Sequence, residues 1–331
     1  MPPNSSRGVG KPVKKKKVLI CGASGFIGRN IFEALVKNSE IEVVGTYNSH
    51  PFYSPTSSLR KVDLTSKKDV NKLLDENFDV VIQAAATTSG SKTIKEHPEI
   101  HITDNAIMNS LVFRSAHHHK ISHVIFFSCS IVYSGGDKPA KETDVNLNDG
   151  MHSAYFGAGW TKIYLEKMCE FYSRLGRTKF LVIRHSNMYG PYDKYDPERS
   201  HMFGANITKV MTAKDGDEIM LWGTGQEKRD LLCMSDLVDF IEIVLAKPDK
   251  KDFDLVNVGC GEAVSVNDII SKTILASGKD LSVAHNVTGP TIPVSITLDT
   301  TKAKNVYGWQ PQIGLDEGIK RTIEWYRNNF P

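Results

Sequence analysis

The sequence predicts an α/β protein, a doubly wound parallel sheet with a smaller C-terminal lobe for substrate. Three observations carry this. Short apolar runs (Val18-Leu19-Ile20-Cys21, Val80-Val81-Ile82, Val124-Ile125-Phe126-Phe127, Phe180-Leu181-Val182-Ile183) alternate with stretches of helical spacing, as strands buried between crossover helices do. The first run breaks into Gly22-x-x-Gly25-x-x-Gly28 and then into a helical pattern at Ile27, Ile31 and Leu35, which reads as strand, tight turn and helix. The alternation ends at the turn Asn187-Met188-Tyr189-Gly190-Pro191. Residues 18–186 therefore read as a dinucleotide-binding domain, and 187–331 mainly as a second lobe with segments returning to the sheet.

Composition bounds the rest. A chain of 331 residues with 40% hydrophobic content fits one large α/β domain or two joined lobes. The formal charge of +3 is small, and much of it sits in Lys14-Lys15-Lys16-Lys17, so no nucleic-acid footprint is expected. Residues 1–17 have no apolar period and are expected to form a disordered tail. Its lysine run reads as a solvated segment or a localisation signal. No signal peptide and no uninterrupted apolar stretch of ~18 residues is visible, so a soluble protein is expected. The five cysteines lie far apart, without a C-x-x-C pair, which argues against a zinc site or disulfide framework and for the cytoplasm.

The glycine turn is the expected dinucleotide seat. Gly22 lets the chain turn, Gly25 lets a pyrophosphate approach the backbone, and Gly28 lets helix and strand pack closely; Ser24, Phe26 and Ile27 line the helix N-terminus that faces the phosphates. After the second strand, Asn48 stands where an acidic residue would accept the ribose 2′-hydroxyl, and Arg60 and Lys61 follow, which favours NADP, with NAD as the alternative. Asp63 and Leu64 are candidates for the adenine edge, and the small residues Ala84, Ala85 and Ala86 let a cofactor pass a strand end. His117-His118-His119 falls on a helical stretch, where successive side chains diverge, so no metal is assigned.

The apolar strand Val124-Ile125-Phe126-Phe127 runs into Ser128-Cys129-Ser130 at its carboxyl end, where such sheets bind ligands. Strand alternation would put Cys129 and Ile131 on one face, Ser128 and Ser130 on the other. A helix is expected from Trp160, carrying Lys162 near its start.

Taken together, these motifs resemble the extended short-chain dehydrogenase/reductases, the NAD-dependent epimerase/dehydratase family of nucleotide-sugar enzymes. The likeness runs from about residue 18 to the C-terminus. Its more specific parts are Asn187-Met188-Tyr189-Gly190-Pro191 through Ser200-His201, and Leu221-Trp222-Gly223-Thr224-Gly225 through Arg229-Asp230-Leu231-Leu232. They resemble most the branch that epimerises and reduces GDP-4-keto-6-deoxyhexoses. The resemblance implies that Asn187 lines the substrate site, Trp222 packs on the nucleoside, Lys209 and Arg229 neutralise the diphosphate, and His201 is the epimerisation acid. It also implies a homodimer formed through a four-helix interface.

The match breaks at the redox pair. The family's Tyr-x-x-x-Lys would place a tyrosine four residues before Lys162, where Ala158 stands. Tyr155 is the candidate replacement. On a continuous helix it would share Lys162's face but lie ~10.5 Å away along the axis, and Gly157 and Gly159 argue against an early helix start. The family's Ser or Thr before Tyr133 is Cys129. Ser128 or Ser130 would supply the hydroxyl, or Cys129 would act as base. The expected activity is a nucleotide-sugar epimerase/reductase with bound NADP(H), acting on a GDP-4-keto-6-deoxyhexose or related GDP-sugar. Its catalytic set is Cys129, Ser130, Tyr155, Lys162 and His201. The alternatives are epimerisation or dehydration without net reduction, and a catalytically degenerate nucleotide-binding subunit that regulates a partner.

Overall fold

The computed structural model describes residues 14–50, 58–88, 94, 96–148, 151–196, 200–247, 251–289 and 291–330; the tail expectation for 1–13 lies outside them. The chain runs β1 (Lys16–Cys21), α1 (Phe26–Leu35), β2 (Ile41–Tyr47), β3 (Leu59–Lys61), α2 (Lys67–Leu74), β4 (Val80–Gln83), α3 (Thr103–His118), β5 (His123–Cys129), α4 (Phe156–Arg174), β6 (Lys179–His185) and β7 (Asn187–Tyr189). It continues through α5 (Met202–Thr212), β8 (Glu218–Trp222), β9 (Lys228–Cys233), α6 (Met234–Ala246), β10 (Phe253–Val258), β11 (Ala263–Ser265), α7 (Val266–Ser277), β12 (Ser282–Asn286) and α8 (Leu315–Asn329).

Seven strands form one parallel sheet in the order β10-β6-β5-β4-β1-β2-β3. Both faces are covered, which is why its central strands read as unbroken apolar runs. Ile20, Ile82, Ile125 and Ile183 pack with α1 and α6 on one face, while Leu19, Val81, Phe126 and Val182 pack with α2, α3 and α4 on the other. β10 adds an edge strand from late in the chain. The residues after β6 add a three-stranded sheet, β11-β9-β7, and a two-stranded one, β12-β8.

Three local expectations are corrected. The tail does not extend to residue 17. Lys16 and Lys17 belong to β1, where the Lys16 ammonium donates to the Leu245 carbonyl at 2.5 Å and that of Lys17 to the Glu76 carbonyl at 2.9 Å; their stems pack while their charges find backbone partners. The helix carrying Lys162 starts at Phe156, not Trp160. Its two glycines do not delay it; they make room. A Cβ on Gly157 would lie 2.5 Å from Ile102 Cδ1, and one on Gly159 would lie 2.1 Å from Met151 Sδ. Strand alternation also stops at Cys129, because residues 130–132 turn into a 3₁₀ helix.

Candidate functional site

The glycine turn is shaped by contacts that no side chain would allow. Gly22 has φ +75°, and a Cβ there would lie 2.6 Å from Ala85 Cα, while one on Gly28 would lie 2.2 Å from the Gly22 carbonyl oxygen. Thr46 ties the turn to β2, its hydroxyl accepting from Gly22 N at 3.0 Å and its carbonyl from Ala23 N at 2.8 Å. Gly25 is exposed, Ser24, Phe26 and Ile27 are half-buried, and the N-cap of α1 offers no side-chain acceptor and no acid in its first turn. The first N–H groups of α1 are thus left for an external anion. Ala84 and Ala85 wall the other side, with Ala86 exposed beyond them. The seat fits a dinucleotide pyrophosphate.

At the far end, Asn48 is exposed after β2. Arg60 is already engaged: its guanidinium donates to both oxygens of Glu76, at 3.2 and 3.3 Å. Asp63 accepts from the backbone N and hydroxyl of Thr65, and Leu64 is buried in the core. Among the histidines of α3, His119 meets Asp75 at 2.8 Å while the His117 ring packs on Tyr172. Among the described residues, no group of three or more His, Cys, Asp or Glu could hold a metal ion.

The carboxyl ends of β5 and β6 carry the reactive side chains. Cys129 and His185 are register partners on these neighbouring strands. Lys162 reaches them from α4, donating to the Phe127 carbonyl at 2.7 Å and lying 4.8 Å from the Phe126 ring centre. Burial lowers the Lys162 pKa, against the pull of Cys129, Glu166 and Cys169. Burial raises that of Cys129, against the Lys162 charge and a hydrogen bond from Ile131 N. The Lys162 charge also acts on His185.

Tyr155 is the N-cap of α4. Its phenol is raised by burial, with Arg229 opposing and Cys129 adding to the shift. Seven residues of helix place it about 10.5 Å from Lys162 along the axis, so the structure keeps Tyr155 beside Cys129 and Arg229. Ser128 is not available to a ligand: it is fully buried and donates to Glu166 at 2.6 Å. Ser130 is 7% exposed in the turn after β5.

Later in the chain, His201 is the N-cap of α5, and its imidazole pKa is lowered to about 4 by desolvation of the ring, with Lys194 and His101 adding to the shift. Asn187 is exposed and donates to the Asp230 carbonyl at 3.2 Å. Lys209 lies 5.4 Å from the Trp222 ring centre and donates to the Met220 carbonyl at 2.8 Å. Both residues line a cavity of about 700 Å³ with Thr212, Asp217 and Met220. Arg229 donates to the carbonyls of Lys228 at 2.8 Å and of Ile292 and Val294 at 2.9 Å, so its charge is anchored by the chain at 292–294.

Sequence reading missed the scaffold under this site. Glu166, one turn after Lys162, receives both arms of Arg184 at 2.9 and 2.7 Å, with side chains only 5% and 6% exposed. Arg184 also donates to Tyr133, whose hydroxyl donates to Asn257 at 2.7 Å. Asp230, fully buried, accepts from the backbone N of Cys260, Gly261 and Leu298. These partners are 18 to 124 residues apart, beyond any local pattern. His185, however, stands at a strand's carboxyl end, a position that ligand-site rules single out.

Comparisons agree with this geometry. GDP-L-colitose synthase of Yersinia pseudotuberculosis is 25% identical, over 94% of this chain and 98% of its own length. GDP-L-fucose synthase of Azorhizobium caulinodans is 28% identical, over 95% and 97%. The solved structure of MoeE5 in complex with UDP-glucose and NAD superimposes with a TM-score of 0.80 at 28% identity, covering 95% of this chain and 100% of that one. Residues 18–259 match the model of the NAD dependent epimerase/dehydratase family, with the glycine turn at its start and β10 at its end, and the chain belongs to that family.

Proposed function

We propose that the protein is an epimerase/reductase of a GDP-4-keto-6-deoxyhexose or related GDP-sugar, working with NADP(H). The observation that carries this reading is the glycine-turn seat on the same sheet edge as Cys129, His185 and Lys162. It is supported by GDP-sugar synthases among the relatives. A bound nicotinamide dinucleotide would supply hydride exchange. Gly22, Ser24, Gly25, Phe26, Ile27 and Gly28 would hold its pyrophosphate, Asn48, Asp63 and Leu64 its adenosine end, and Ala84, Ala85, Ala86 and Lys162 its remaining length.

Trp222 would take the nucleoside of the substrate, Lys209 and Arg229 would neutralise its diphosphate, and Asn187 would line the site. Cys129, flanked by the Lys162 charge, would be the base at the sugar carbon, with Ser130 as polar anchor and His201 as acid. Tyr155, whose hydroxyl has no hydrogen-bond partner among the described residues, would donate a proton or hydrogen bond to the sugar. Loss of NADPH absorbance on adding GDP-4-keto-6-deoxymannose is the expected result. Deuterium wash-in at sugar carbons without NADPH loss would indicate epimerisation alone, and ligand-induced stabilisation with neither would indicate a binding subunit.

A homodimer is part of the proposal. Ile107 on α3 and Tyr164 and Phe171 on α4 are 40%, 53% and 57% exposed, and α3 packs against α4, so two such pairs would bury a shared apolar face. Among the described residues, no helix is long and apolar enough to cross a membrane.

A further inference from the structure

We infer that His185, through Nε2, is the group that exchanges the proton with the reacting sugar oxygen, standing in for the tyrosine absent at position 158. This rests on the functional reading above. The geometry is specific on three points. First, His185 is in register with Cys129 on the adjacent parallel strand, so both side chains leave the same face of the sheet at its ligand-binding end. Second, its Nδ1 is bonded to the Ser186 carbonyl at 2.7 Å. A carbonyl only accepts, so Nδ1 carries the hydrogen and Nε2 holds the lone pair. No described residue bonds Nε2. Third, the Lys162 charge acts on both His185 and Cys129, whereas Tyr155 is shifted by Arg229 and Cys129.

The groups facing His185 are Cys129 from β5, Lys162 from α4 and His201 from the start of α5, with the Phe127 ring centre 6.2 Å away. Burial, with the Lys162 charge and the His201 imidazole adding to it, pushes its pKa down to about 4, so Nε2 is a free base at neutral pH. In the alcohol-to-ketone direction the sugar O–H bond breaks and its proton goes to Nε2, while the C–H pair leaves as hydride to an oxidised nicotinamide. In the opposite direction the imidazolium returns that proton to the oxygen as hydride arrives. Lys162 beside the imidazolium disfavours its charge and so promotes the return. Tyr155, beside Arg229, remains a hydrogen-bond donor to the sugar.

The test compares His185→Gln, His185→Asn and Tyr155→Phe with the wild type, reading NADPH consumption with GDP-4-keto-6-deoxymannose and NADPH affinity by fluorescence. Both His185 variants are expected to lose ~10²–10⁴-fold in kcat with NADPH affinity within about threefold, and Tyr155→Phe to lose less than ~10-fold. The acid limb of the wild-type kcat–pH profile is expected to vanish in His185→Gln. A His185→Gln enzyme within about threefold of wild-type kcat overturns the assignment alone; a wild type that neither consumes NADPH nor exchanges deuterium overturns the functional reading and the assignment with it. Nitrogen NMR of the histidine-labelled wild type with NADPH decides the matter without any variant. An unprotonated Nε2 that shifts when the GDP-sugar is added supports the assignment, and an Nε2–H tautomer contradicts it.

Discussion

The glycine turn at residues 22–28 and the reactive edge at Cys129 and His185 lie on one parallel sheet, yet they were specified in different ways. The turn is local: of three glycines at fixed spacing, Gly22 and Gly28 leave no room for a Cβ, with contacts of 2.6 and 2.2 Å, and Gly25 is tight at 3.3 Å. The reactive edge is assembled from β5, α4, β6 and the start of α5, so its members can be exchanged provided that the assembled charges still suit the chemistry. The difference teaches that a binding seat can keep a family's pattern while the proton-handling set beside it is rebuilt.

The comparison breaks most severely at the scaffold under the reactive edge. Arg184→Ala leaves Glu166 charged and buried, with Ser128 as its one remaining hydrogen-bond partner among the described residues. It is expected to cost about 3–5 kcal/mol, read by urea unfolding. A loss below about 1 kcal/mol would mean that the pair does not hold α4 against β6.

The loop between β7 and α5 provides a pH test. Asp193 is buried with one oxygen unpartnered, and burial pushes its pKa from 3.8 up to about 6. A carboxyl with a raised folded-state pKa stabilises the fold only where it is protonated. Stability from this group is therefore gained as pH falls through about 6 towards 3.8 and lost as pH rises. Asp193→Asn is expected to be more stable than wild type at about pH 8, by up to ~3 kcal/mol, with the gap closing by about pH 4. Thermal melts across that range check it; parallel curves for the two proteins would contradict it.

On the seat, Gly28→Val is expected to weaken NADPH binding by on the order of 10²-fold, about 2.7 kcal/mol, because its side chain would meet the Gly22 carbonyl. A fluorescence titration reads this directly, and unchanged affinity would show that the dinucleotide lies elsewhere. Smaller and separate is Trp222→Ala. Loss of stacking is expected to weaken GDP binding by ~1–3 kcal/mol in calorimetry while leaving NADPH affinity intact. Finally, Phe171→Glu on the exposed face of α4 is expected to yield monomers by light scattering.

Much of the fold was legible in the sequence because periodicity and glycine spacing act within a few residues. The apolar runs from Val18, Val80, Val124 and Phe180 all became strands of the sheet. The helix start at Phe156 was misread, since Gly157 and Gly159 look like helix breakers until Ile102 and Met151 are seen filling their space. Tyr155 was visible as a candidate, but its neighbours were not. Arg229 looked like a free cation, whereas three carbonyls hold it. His185 was passed over although it ends a parallel strand, because its meaning depends on Cys129 and Lys162, which lie 56 and 23 positions earlier.

The separation of seat from reactive edge is tested most directly by a variant carrying Cys129→Ser, Tyr155→Phe and His185→Gln together. NADPH affinity is predicted to stay within about threefold of wild type while consumption of NADPH with GDP-4-keto-6-deoxymannose falls by at least ~10². Affinity and turnover falling in parallel would contradict it, because the two regions would then be one.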